Sequence, residues 1–176
     1  NNWSAGFLPS EYRGVAFQSS GVPIPYLDNP PGITQQMQWA TVLTLRDLNA
    51  ERYSQTGDRE IASRMASYEL AFRMQSAAPD LMDVSAEPTH IQDMYGLNEP
   101  ETAKYGRHCL LARRMVERGV RFVMLADASW GGHTFLDANH TQRCKATDRP
   151  VAALVKDLKQ RGMLDDTLIV WGGEFG

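Results

Sequence analysis

Apolar residues recur at helical spacing through the first two thirds of the chain. From Thr34 to about Gln55, Val42, Leu45 and Leu48 are spaced by threes with Met37 off that line, which predicts a helix with an imperfect apolar face. Gly57 stops it. Asp58 suits an N-cap, and Ile61, Met65, Tyr68 and Phe72 recur at intervals of 4, 3 and 4, predicting a second helix that ends before Pro79. A third, short helix is expected around Thr89–Tyr95, ending at Gly96. A fourth runs from about Glu101 to Arg118, with Tyr105, Cys109, Ala112 and Val116 on one face and Gly119 just past its end. Arg113, Arg114 and Arg118 lie near its C-terminus, where the helix dipole favours cations. They read as helix-end solvation, with an anion site as the alternative.

The pattern changes at Val120. Val120–Ala126 is nearly continuous apolar sequence, too short for an independent helix, and predicts a strand buried on both faces. A polar, glycine-containing loop follows from Asp127 to Thr134. Helical sequence resumes around Leu136, where Pro150 either kinks the helix or occupies the first turn of a new one capped by Asp148. Val151, Leu154, Val155 and Leu158 form its apolar face, Gly162 ends it, and Leu168–Trp171 reads as a second strand. The order strand–helix–strand predicts a parallel β-α-β unit with a right-handed crossover, hence an α/β fold. Three segments result. Residues 1–32, broken by Pro23, Pro25, Pro30 and Pro31, form an irregular covering segment; residues 33–118 form a helical region able to cap the sheet; residues 119–176 form the β-α-β part of the core.

Parallel strands bring their C-terminal ends to one edge, so the loops carrying Asp127, Trp130, His133 and Glu174 are expected on a common rim, where open α/β sheets bind ligands. An imidazole with two carboxylates is a ligand set for zinc, manganese or iron. His133 reads equally as a loop histidine bonded to a backbone carbonyl, and Asp127 as a turn or capping residue. Glu174, set between Gly173 and Phe175 at the end of a buried strand, gains little structurally and reads as functional. His140 is a reserve ligand, whereas nothing places His90 or His108 at the rim. Cys109 and Cys144 are either two small core residues or one disulfide. No G-x-S-x-G, Walker A or CxxC motif is present.

Composition narrows the classes. The 176 residues are 43% hydrophobic and 22% charged, an ordinary globular balance, and the net charge of −3 speaks against a broad nucleic-acid surface. No apolar run reaches the roughly 18 residues of a membrane span, so no transmembrane segment is expected. The first residue is Asn1, and the last ones run from a buried strand into a glycine-rich loop, which reads as an internal piece of a longer protein. Open sheet edges would make such a piece poorly stable or prone to aggregate.

Several stretches resemble a bacterial family, domain of unknown function 1501, whose members are similar to the alkaline phosphatase and sulfatase superfamily. They are Gly6-Phe7-Leu8-Pro9 with Tyr12 and Gly14, Asn29-Pro30-Pro31-Gly32, and Tyr68 through Gln75. Gly106-Arg107, Cys109 through Arg114 and Arg118 through Val123 follow, and the most specific block runs from Asp157 through Gly162 and Asp165 through Gly176. The resemblance implies an α/β/α sandwich with a divalent metal (zinc, manganese, calcium or magnesium) at the strand-end rim. It makes Glu174 the counterpart of an aspartate in an Asp-His metal pair, with Phe175 in place of the histidine. Relatives show Trp-Asp-x-His after the earlier strand; here Trp130-Gly131-Gly132-His133 keeps the tryptophan and histidine but has Gly131 for the aspartate, with Asp127 as a substitute. The nucleophile is expected upstream of Asn1 and further ligands beyond Gly176.

The function so implied is a metal-dependent hydrolase of phosphate or sulfate esters, small-molecule or polysaccharide, with His133, Glu174 and Asp127 as metal ligands. The alternative is a catalytically degenerate module that binds polysaccharide, with Trp130 as a stacking platform for substrate. Gly131 favours the second reading, His133 and Glu174 the first. The resemblance also implies an extracytoplasmic or periplasmic location.

Overall fold

The computed structural model describes residues 14–18, 24, 27–128 and 130–173, and the chain divides into two compact units, Asn1–Met82 and Asp83–Gly176. In the first unit, helix α1 spans Gln35–Thr56 and helix α2 spans Arg59–Met82. Thr34 caps α1, its hydroxyl accepting from the Met37 N–H at 3.2 Å. Gly57 ends it in the left-handed region at φ 65°, and its N–H donates to the Tyr53 carbonyl. A two-residue link makes the helices antiparallel neighbours. Trp39, early in α1, accordingly packs on Phe72, just past the middle of α2, with ring centroids 4.6 Å apart. Two expectations are corrected here. The second helix does not stop before Pro79; it continues to Met82, with Ala78 and Met82 buried on either side of the proline, so packing outweighs the lost N–H. Val42 is buried but Leu48 is 61% exposed, because two steps of three residues rotate a side chain by about 120° around the helix.

The second unit is built on helix α3 (Thr89–Met94), helix α4 (Ala103–Glu117) and helix α5 (Leu136–Gln160), with 3-10 turns over Val84–Ala86 and Leu164–Asp166. Cys109, Leu110, Leu111, Ala112 and Met115 of α4 and Ala153 and Leu158 of α5 fill its core together with Ile91 and Tyr95. The α5 helix runs unbroken across a buried Pro150, so Asp148 starts no new helix. Cys109 and Cys144 are both free thiols. Burial pushes the Cys109 thiol up to about 12, which makes it a core residue of low reactivity.

The expected α/β/α sandwich with its parallel β-α-β unit is overturned. Among the described residues every regular element is helical, and neither apolar run forms a strand. Residues 122–128 alternate, with Val123, Leu125 and Asp127 partly buried and Phe122 90% exposed. Leu168 is 89% exposed. An apolar run predicts burial, but a strand needs a neighbour for its backbone N–H and C=O groups, and these two segments form no ladder with each other. The topological reason for bringing His133 and Glu174 together goes with the strands.

Two of the three helix-end arginines, Arg113 and Arg114, are buried rather than solvated, whereas Arg118 is exposed. Arg113 is 1% exposed and contacts three carboxylates: Glu87 Oε2 at 2.6 Å, Glu117 Oε2 at 2.6 Å and Asp157 Oδ2 at 3.0 Å. The Nη2 and Nε contacts to Glu87 and Asp157 are charge contacts rather than well-aligned hydrogen bonds. Arg114 pairs with Glu87, Arg161 pairs with Asp157 and Glu117 at 2.8 Å, and the buried Tyr95 hydroxyl donates to Asp157 at 3.1 Å. This cluster ties the turn after Asp83 to α4 and α5.

Burial alone would raise the Glu87 carboxyl, but the guanidinium groups of Arg113 and Arg114 against it outweigh burial and hold the group below its ordinary value of 4.5. A depressed carboxyl contributes stability that is full above its unfolded value and lost as pH falls through the folded one. Thermal unfolding is therefore expected to shift to lower temperature as pH drops below about 4.5, and Glu87→Gln should flatten that dependence. An unchanged pH profile in the variant would count against this role for Glu87.

Candidate functional site

Lys104, Tyr105 and His108 occupy positions i, i+1 and i+4 and so share one face of α4. That face and Gln142, Arg143 and Ala146 of α5 line a cleft of about 340 Å³, with Asp127 and Glu101 contributing carboxylates. Arg143 Nε is buried and makes no hydrogen bond among the described residues. An unpaired buried donor on a charged group is costly unless a ligand meets it.

The cleft changes the acidity of its own residues. Burial, then the Lys104 and Arg107 cations, push His108 below the ordinary imidazole value of 6.5, while Asp127 works in the opposite direction. His108 is thus mainly a neutral imidazole near pH 7, able to accept a proton. Burial, with contributions from Cys109 and Asp127, pushes the Tyr105 phenol up to about 12, so it stays a hydrogen-bond donor. Lys104 and Arg143 supply positive charge, and Asp127 and Glu101 negative charge.

Asp127 faces this cleft and accepts from Trp130 Nε1 at 3.0 Å, which fixes the indole beside it. Trp130 is partly buried and its ring lies 6.2 Å from that of His140. His133 is exposed in the bend before α5, His140 is exposed on α5, and His90 is exposed on α3. Glu174 lies outside the described residues, as does Ser129 in the loop. Among the described residues no group of three or more His, Cys, Asp or Glu side chains could hold a metal ion. Of the three expected ligands, only Asp127 and His133 are among those residues. Phe135, at φ 52°, is a non-glycine residue in the left-handed region where the loop enters α5.

His108, Lys104, Tyr105 and Arg143 were not visible as site residues from the sequence. The one available signal was the 104/105/108 spacing on a single helical face; nothing in it said that α5 would cover that face. A second recess of about 420 Å³ adjoins the cleft and shares Glu101 and Gln142 with it.

No curated protein and no solved structure matches the chain. The family described as protein of unknown function DUF1501 matches residues 1–176, which makes this chain a member of that family.

Proposed function

We propose that the chain serves a hydrolase of phosphate or sulfate esters, and that the α4–α5 cleft receives the anionic ester group. The observation that carries this reading is the meeting of Lys104, Arg143 and a neutral His108 in one cleft with Asp127. Two cations and a donor phenol suit the oxygens of a phosphoryl or sulfuryl group. In the reaction a water oxygen bonds to phosphorus or sulfur, the bond to the alcohol oxygen breaks, and the alcohol leaves with a proton. His108 is placed to accept a proton from water. The resemblance to the alkaline phosphatase and sulfatase superfamily supports the reaction class and, with it, a divalent metal and an extracytoplasmic location. Among the described residues no helix is long and apolar enough to cross a membrane.

Calorimetric titration with phenyl phosphate and phenyl sulfate tests the reading. Lys104→Ala and Arg143→Ala should each weaken binding about tenfold, the scale of one charge-assisted hydrogen bond. Affinity should rise as pH falls below about 6.5, because a bound anion favours protonated His108. Wild-type binding that is absent, or unchanged in both variants, would refute it. Adding zinc or manganese with a chromogenic ester tests the metal requirement separately.

A further inference from the structure

The cleft between α4 and α5 holds acceptors as well as donors. Glu101 and Lys104 are exposed, whereas Tyr105, His108, Asp127 and Arg143 are partly buried and so less screened by water. Arg143 brings a buried Nε–H that makes no hydrogen bond among the described residues, and Tyr105 brings a phenol O–H. Asp127 is the opposite case, since an ionised carboxylate only accepts. Its Oδ2 accepts from Trp130 Nε1 at 3.0 Å, which anchors the group and leaves further lone pairs for a ligand.

Phosphate and sulfate monoesters share a shape and differ by one proton. A sulfate ester is a fully ionised anion near neutral pH, and its oxygens only accept. A phosphate monoester has a second pKa of about 6, and below that value it keeps a P–O–H group that donates. Against a sulfate ester the Asp127 carboxylate meets like charge and other acceptors, which costs affinity. Against the monoprotonated phosphate it gains a charge-assisted O–H···O bond.

We infer that the cleft is a phosphate-monoester site that rejects sulfate esters, with Asp127 accepting the hydrogen bond of the phosphoryl hydroxyl while Arg143 and Tyr105 donate to the remaining oxygens. The inference rests on the ester reading above and decides between its two substrate classes.

The test is calorimetric titration of phenyl phosphate, phenyl sulfate and methyl phenyl phosphate into the 176-residue chain. At about pH 5.5 all three are mainly monoanions, and only the first carries a proton on its anionic group. A proton gained by His108 at that pH acts on the three alike. The wild type should bind phenyl phosphate about tenfold more tightly than either of the others. Asp127→Asn, whose side-chain oxygen can still accept from Trp130, should remove that preference. Phenyl sulfate bound as tightly as phenyl phosphate or more so, the diester bound as tightly as the monoester, or a preference that survives Asp127→Asn would each overturn the inference and leave the ester reading standing. Should the variant not fold, the diester comparison on the wild type decides alone. Failure of all three probes to bind would overturn the ester reading and the inference with it.

Discussion

Replacing Arg113 by methionine is expected to destabilise the second unit by about 3–5 kcal/mol, the range for breaking a buried ion pair from one side. The cost comes from what is left behind. Glu87 and Asp157, the latter only 1% exposed, would stay buried without the guanidinium that contacts both. Arg161 still reaches Asp157, and Arg114 still reaches Glu87, so the loss is large but not the full sum of three contacts. For a unit of this size the midpoint of thermal unfolding should fall by roughly 12 °C or more. Converting Arg113, Glu87 and Asp157 together to apolar residues of similar volume should recover only part of the loss, because the buried Arg114 then loses its Glu87 carboxylate. A single variant costing less than about 1 kcal/mol would show that water reaches this cluster.

Gly106→Ala is the second large effect expected. A Cβ at position 106 would collide with the backbone carbonyl oxygen of Tyr95 and reach ordinary contact with the Pro150 ring at 3.8 Å. The Tyr95 carbonyl, being backbone, cannot swing aside as a flexible side chain would. Tyr95 is fully buried and its hydroxyl is held by Asp157, so the turn after α3 is fixed as well. Alanine is intrinsically better than glycine in a helix by about 1 kcal/mol, and the collision should outweigh this to give a net loss of about 2–3 kcal/mol. Gly131→Ala is the matched control: its Cβ meets nothing within 4 Å, and the change should stay within about 0.5 kcal/mol. Denaturant unfolding of the two variants decides it. Equal stabilities would mean that α4 does not pack against Tyr95 as closely as the structure has it.

Both effects lie in a part of the molecule that sequence patterns showed unevenly. The five helices were legible, because apolar spacing near 3.6 and left-handed glycines at positions 57, 96, 119 and 162 mark them. Pro79 misleads because it lies on the exposed side of α2, where water can meet the carbonyl that loses its N–H partner, while Ala78 and Met82 stay packed. The apolar runs 120–126 and 168–171 misled most. Their hydrophobicity is a demand for burial and predicts a pair of buried strands, although backbone pairing depends on neighbours the local sequence does not specify. The ion cluster was illegible for a related reason. Glu87, Arg113 and Asp157 are far apart along the chain, and a charged residue at a helix end defaults to solvent unless tertiary structure buries it.

The site follows the same logic. Asp127, a candidate in the sequence, faces a cleft that His108, Lys104 and Arg143 also line. That grouping comes from α5 lying along α4, a packing choice invisible in either helix alone.

Amide NMR spectra recorded while phenyl phosphate is titrated into the chain test the central claim most directly. The ester cleft predicts shifts concentrated at residues 104–108 and 142–146, with smaller ones around Asp127. Shifts confined to the loop around His133, with residues 104–108 and 142–146 unmoved, would contradict it.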